Sequence, residues 1–375
     1  TFNVTKKDIT FSGSRVYDGT TTVSSSDLVT NDTTSGETLA FSGSGTVSSA
    51  NVQNNQSITL GSIAIADGSG GGLASNYNLT TGTFDISQKW VSVGGQKIYD
   101  ATTTVSSSDL EVTGEVTGES ISITGTGSVT DKNVGSGKTI DISGLSLSDG
   151  SHSASNYTIG TTSFAITRRN LSISGEKVYD GTGTVLASQI DTVNTAGGET
   201  LTISGEGSVS LPSVGTNKSI TLNTLGISDG TNGTIGLASN YTLDSGSFDI
   251  TTKPITLSGS RQYDGTTDVA SSDLTLIGQV SGESISITGT GSVTDKNVGA
   301  GKTITTTGLS LADNTSNASN YSLSTGTFTI NNKILSISGT RAYDGSTTVS
   351  SGNISLNGLI GSETLNKSGS VSTSS

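Results

Sequence analysis

The sequence predicts an all-β chain: a tandem array of small Ig-like β-sandwich domains forming an extended rod. Three motifs recur in fixed phase about every 80 residues, apolar residues alternate with polar ones in short runs, and clusters of Gly, Asn, Asp and Ser interrupt those runs every few residues.

The repeat comes first because it sets the domain count. YDGT, or a close variant, places Tyr17, Tyr99, Tyr179, Tyr263 and Tyr343 at spacings of 82, 80, 84 and 80 residues. The triplet SNY ends at Tyr77, Tyr157, Tyr241 and Tyr321 and keeps the same beat. A third marker, GE or SE followed by Thr or Ser, places Glu37, Glu119, Glu199, Glu283 and Glu363 twenty residues after each motif tyrosine. The resulting boundaries are a terminal strand at 1–6, repeats at 7–88, 89–168, 169–252 and 253–332, and a partial fifth at 333–375. GESISITGTGSVTDKNVG stands identically at 118–135 and 282–299, while repeats one and three share GLASNY, so the array reads as a duplicated pair.

Each repeat has the two-residue alternation of half-buried strands. Ile9 with Phe11, Val91 with Val93, Leu171 with Ile173, Ile255 with Leu257 and Leu335 with Ile337 precede the YDGT phrase. Ile121 with Ile123 follows the GE marker, and Phe84 with Ile86 and Phe164 with Ile166 follow SNY. Side chains at i and i+2 share one face of a strand, so each pair points inward together. About seven strands per repeat make a sandwich. A β-solenoid of short rungs is the alternative, but the similarity returns only at the full period. Only three residues separate TFDIS at 83–87 from VSVGG at 91–95, a linker short enough to restrict a hinge.

Composition bounds the function. A net charge of −13, with 18 Lys and Arg against 31 Asp and Glu, argues against nucleic acid as a partner, since phosphate contacts need clustered cations. Cysteine is absent, which removes disulfides and thiolate metal sites. No apolar run approaches the length of a membrane span, and TFNVTKKDIT lacks a signal-peptide core, so any export signal is expected outside these residues.

With Lys or Arg ahead of YDGT, then GE, a GSV-DKNVG stretch, a GLSLSDG stretch and SNY before the final strand, the unit resembles the YDG repeat, over essentially the whole chain. That family occurs in very large secreted bacterial exoproteins of the filamentous-haemagglutinin and two-partner-secretion kind. The resemblance implies the stalk of a secreted or cell-surface adhesin, contributing to adhesion or biofilm, whose partners are cell surfaces, matrix or polysaccharide reached through other parts of the parent. It supplies no catalytic residue. Two departures are Ala101 in place of the motif glycine and SLPSVG at 210–215 in place of TDKNVG.

The residues themselves give YDGT a structural reading: Asp-Gly is turn chemistry, and the Tyr ring buries in the sandwich edge with its hydroxyl on a backbone carbonyl. Ala101 favours an ordinary turn without positive φ. A sharper reading takes the repeated carboxylates and amide as calcium ligands, since Ca²⁺ takes hard oxygens. The four sets are Asp18, Glu37, Asp67 and Asn76; Asp100, Glu119, Asp149 and Asn156; Asp180, Glu199, Asp229 and Asn240; and Asp264, Glu283, Asp313 and Asn320. Their spacing matches no calcium loop, so no cofactor is the simpler expectation.

His152 is the single histidine, which excludes a His-based site repeated along the array, and no enzymatic activity is expected. A Lys–Asn cross-link fails because Lys7, Lys89, Lys253 and Lys333 become Arg169 in repeat three, and Lys138, Lys218 and Lys302 become Gln56 in repeat one. Asn-X-Ser/Thr triplets are plentiful, as composition alone dictates. Trp90 is expected to pack at a repeat boundary. The alternatives to a stalk are a multivalent glycan- or matrix-binding module and a self-associating filament subunit; the fragment itself is expected to be monomeric.

Overall fold

The computed structural model describes residues 1–374. Among them the chain is all-β, with strands joined by loops and by three-residue 3₁₀ turns. No helix among the described residues is long and apolar enough to cross a membrane.

Repeat two illustrates the architecture. One sheet takes its strands in the order Leu110–Thr113, Lys89–Ile98, Tyr157–Thr167, Gly135–Lys138. A second is centred on Ile121–Val129, which pairs with Thr104–Ser106, Ile140–Asp141 and Leu145–Asp149. The alternation explains which faces meet: Val91, Val93, Phe164 and Ile166 from the first sheet and Ile121, Ile123 and Val129 from the second are all buried. Each such side chain contributes about 1.5–3 kcal/mol relative to exposure. In repeat four the strand Gly299–Thr305 crosses between layers, pairing Thr305 with Ser292 at one end and Gly299 with Ile330 at the other, so the two sheets join at one edge. These pairings stay inside the repeat, and the parallel neighbours are its own first and last strands, unlike the rungs of a solenoid.

That parallel pair is the spine of repeats one, two and four. Lys89–Ile98 runs beside Tyr157–Thr167 from Lys89↔Tyr157 to Ile98↔Thr167, and Lys7–Val16 runs beside Tyr77–Ser87 in the same way. Strand Tyr77–Ser87 passes into Lys89–Ile98 through Gln88 alone, and Tyr157–Thr167 passes into Arg169–Val178 through Arg168 alone. The linker is one residue, not the three expected, because both strands extend further toward the boundary than their apolar pairs reveal.

By contacts the chain divides into two compact units that do not follow the sequence period. Unit one comprises Thr1–Leu171, Asn194–Leu201 and Asp229–Thr242; unit two comprises Ser172–Val193, Thr202–Ser228 and Leu243–Ser375. Within unit one, a single buried cluster holds Phe11, Val23, Phe84 and Ile86 of repeat one together with Val91, Ile121 and Tyr157 of repeat two, with Tyr17 among them. Two segments of repeat three therefore cluster with repeat two.

A glycine four residues before each motif tyrosine recurs in all five repeats: Gly13, Gly95, Gly175, Gly259 and Gly339. It lets the first strand press against the last carbonyl of the neighbouring 3₁₀ turn. A Cβ on Gly95 would lie 1.8 Å from the carbonyl oxygen of Asp109, and one on Gly175 would lie 1.9 Å from that of Gln189. Gly95→Ala should therefore destabilise the chain by about 3 kcal/mol in denaturant unfolding. Gly352→Ala, with nothing within 4 Å of the added carbon, should change stability by less than about 0.5 kcal/mol.

Candidate functional site

The YDGT phrase is a turn fastened by its own side chains. Asp18 Oδ1 accepts the Thr20 N–H at 2.9 Å, and the same bond recurs from Thr102 to Asp100, Thr182 to Asp180, Thr266 to Asp264 and Ser346 to Asp344. A cation two residues before the tyrosine pins the turn from below. Lys97 Nζ donates to Asp100 at 3.0 Å and to the carbonyls of Thr102 and Thr104 at 3.1 and 2.6 Å; Lys177 repeats the pattern, and Arg15, Arg261 and Arg341 pair with Asp18, Asp264 and Asp344. Burial works against the charge of Asp100 and Asp180, but these bonds outweigh it and hold both carboxyls below the usual range. The third turn residue is left-handed in every copy: φ is 79° at Gly19, 81° at Gly181, 82° at Gly265 and 85° at Gly345, and 66° at Ala101. Ala101 thus does not mark an ordinary turn; it takes the strained conformation that glycine takes freely.

The tyrosine reaches out of its own repeat. Tyr17 Oη donates to Glu119 Oε1 at 2.8 Å, 102 residues further on, in repeat two. Tyr157, from the SNY triplet of repeat two, donates to the other oxygen of the same carboxylate at 2.6 Å and accepts the Val116 N–H at 3.1 Å. The two rings meet edge to face, centroids 5.4 Å apart at 79°, a contact that adds about 1 kcal/mol beyond burial. The cluster recurs with Tyr99, Glu199 and Tyr241, and again with Tyr179, Glu283 and Tyr321. Tyr263 donates to Glu363, and in repeat one Tyr77 donates to Glu37. Tyr343, the fifth motif tyrosine, is exposed. The expected backbone-carbonyl partner is therefore replaced by the carboxylate of the following repeat. All nine tyrosines of the chain belong to these two motifs.

The SNY asparagine closes the same junction. Asn156 Oδ1 accepts the Val52 N–H of repeat one at 2.8 Å while its Nδ2 donates to Asn51 at 2.9 Å. Asn240 does the same to Val134 and Asn133, and Asn320 accepts from Val214. All three asparagines are buried. The one-residue linkers are tied in too: Gln88 Nε2 donates to the carbonyls of Ser155 and Tyr157, and Arg168 Nε to that of Ser239.

Junction electrostatics follow from a carboxylate held between two hydroxyls. Tyr17, Tyr157 and Tyr179 are pushed up to about 12, first by burial and then by the neighbouring glutamate, and Tyr99, Tyr241 and Tyr321 rise for the same reasons. The second junction has an extra partner, since Lys132 of repeat two bonds Glu199 at 2.6 Å. Burial opposes the Glu199 charge, but Lys132 and both hydroxyls outweigh it and hold the carboxyl below its usual range, while Glu199 raises Lys132 in return. At the first junction His152 Nε2 lies 3.9 Å from Glu119.

The four repeated oxygen ligands thus carry four different bonds. The YDGT aspartates (Asp18, Asp100, Asp180, Asp264) close the turn, and the glutamates (Glu37, Glu119, Glu199, Glu283) receive tyrosines. The third carboxylates cap the SNY turn: Asp67 accepts the Ala74 N–H at 2.8 Å, Asp149 that of Ala154 at 2.7 Å, Asp229 that of Ala238 at 2.8 Å and Asp313 that of Ala318 at 2.7 Å. Asn156, Asn240 and Asn320 clasp the preceding repeat; Asn76 holds the corresponding place in repeat one. Among the described residues no three Asp, Glu or His side chains form a group that could hold a metal ion. Trp90 does not pack at a boundary: it is 75% exposed and lies over Gly160 of its own repeat, a glycine where the other repeats have Thr80, Asp244 and Ser324.

Two outcomes test this geometry. Tyr17→Phe should cost about 1.5 kcal/mol, and Lys132→Ala, which leaves the buried Glu199 charge with hydroxyls alone, about 2 kcal/mol, both read by urea unfolding. The tyrosine values are raised above the ordinary 10, so their contribution is complete below pH 10 and is lost as pH rises through about 12. Unfolding should accordingly track tyrosine ionisation at 295 nm across that window. The depressed Glu199 acts at the other end, its contribution fading as pH falls below the ordinary carboxylate range.

A search of curated proteins returns no match. A family profile described as the YDG domain matches residues 3–84, 88–164, 167–248 and 250–329. Those four consecutive matches cover most of the chain, which therefore belongs to the YDG domain family.

Proposed function

We propose that this chain is a load-bearing segment of the stalk of a secreted or cell-surface bacterial adhesin, holding a distal binding region away from the cell. The observation that supports the reading is the parallel pairing of first and last strands. Tension enters repeat two at Lys89 and leaves at Thr167, on strands that lie side by side in parallel register from Lys89↔Tyr157 to Ile98↔Thr167. A pull along that axis loads all their backbone hydrogen bonds together in shear, whereas a pull across it breaks them one at a time. The functional residues hold neighbouring repeats to each other, and the reading assigns the chain no catalytic role. In this role it stands outside the cell, contributes to adhesion or biofilm, and meets cell surfaces, matrix or polysaccharide through other parts of the parent protein.

Single-molecule pulling tests it. In the full chain, repeat two pulled through cysteines at Lys89 and Thr167 should rupture at a clearly higher force than when pulled through cysteines at Trp90 and Thr158, which sit opposite each other at one end of the strand pair. Equal forces would remove the mechanical argument. Antibodies to the repeats should label intact, unpermeabilised source cells; labelling only after permeabilisation would remove the surface location.

A further inference from the structure

The docked turns differ in how much room their receiving loops leave. A Cβ on Gly19 would lie 2.8 Å from Glu119 Oε1 and 3.2 Å from Val116 Cγ1. One on Gly181 would lie 2.9 Å from Val280 Cγ1, and one on Gly265 2.8 Å from Ile360 Cγ2. None of the three turns takes a methyl group without a shift: at Gly181 and Gly265 the nearest obstruction is the residue three before the receiving glutamate, and at Gly19 it is Glu119 itself, with Val116, the residue three before it, next.

The second junction departs on both sides at once. Its turn carries Ala101, and its receiving loop carries Ala196 where repeat two has Val116, repeat four Val280 and repeat five Ile360; the next residue, Gly197, has a glycine counterpart in Gly361 of repeat five. Ala101 lies directly against this loop: a Cβ added to Gly197 would sit 3.0 Å from the Ala101 methyl. Bulk gained by the turn is bulk lost from the loop. The exchange has no explanation inside the turn, because Lys97, Asp100 and Thr102 around Ala101 make the same bonds as Lys177, Asp180 and Thr182 around Gly181.

We propose that the third residue of the YDGT turn and the residue three before the receiving glutamate form a size code that matches each repeat to its own successor. Glycine turns take loops with a branched residue there, Val or Ile; the alanine turn takes the loop with Ala196. Repeats two and four are the pair most in need of discrimination, since they share an identical 18-residue stretch at 118–135 and 282–299 while their turns differ by one methyl, Ala101 against Gly265. Ala101 presented to the loop of Ile360 meets the contact that Gly265 avoids. The code thus disfavours out-of-order docking between near-identical repeats of one chain or of two.

The test uses the full chain and reads amide exchange at two junction N–H groups, Val214 (bonded to Asn320) and Val134 (bonded to Asn240). Gly181→Ala should speed exchange at Val214 about tenfold, and adding Val280→Ala should restore most of the protection. In the reverse arm, Ala196→Val should deprotect Val134, and Ala101→Gly should rescue it. Gly345→Ala isolates backbone strain, because that turn has φ of 85° and nothing within 4 Å of the added carbon. The code is overturned if the compensating changes fail to rescue either junction, or if Gly181→Ala destabilises no more than Gly345→Ala. Should Gly181→Ala fail to fold, the reverse arm decides alone.

Discussion

A buried carboxylate shared by two tyrosine hydroxyls from different repeats is the constraint on which the rest depends. A glutamate among apolar side chains is costly unless its oxygens are satisfied, and the repeat supplies only one of the two donors itself. Tyr157 covers one oxygen of Glu119, and Tyr17 of the preceding repeat covers the other. Folding of one repeat is therefore completed by its neighbour. The edge-to-face rings, the asparagine clasp and the tethered linker all serve to deliver that second hydroxyl at the right place.

The turn that carries the donor must be stiff, which is why so much chemistry surrounds a four-residue phrase. The cation beneath it, the aspartate that closes it and the left-handed third residue fix the tyrosine before it meets its partner. Rigidity of this kind reduces what must be ordered when two surfaces come together. The glycine four residues earlier contributes by letting the strand that bears the turn sit hard against a carbonyl of its neighbour.

Period, strand alternation and turn residues were all legible from the sequence, since they depend on local chemistry. Partnership was not. In an array of nearly constant period, a tyrosine twenty residues before a glutamate is also about one hundred before the next copy, and regular spacing does not say which is touched. An irregularity breaks that degeneracy: Ala101 in repeat two is answered by Ala196 in repeat three, not by a change in its own repeat. The calcium reading groups Asp, Glu and Asn by their common period, whereas the structure gives them four separate bonds. Trp90 is supported by a glycine seventy residues away, across a strand pairing that no motif announces.

The four tyrosines that reach into the following repeat, Tyr17, Tyr99, Tyr179 and Tyr263, place the unit of inheritance and the unit of stability out of step. Duplication copies the stretch from one entry strand to the next, but the interactions straddle that border, and the compact units accordingly cut through the middle of repeat three. Any excision at the sequence boundary severs a tyrosine from its glutamate. A recombination event that adds or deletes whole copies is tolerated only where the new neighbours fit, so the array grows as a domino line does, by matching faces at each join.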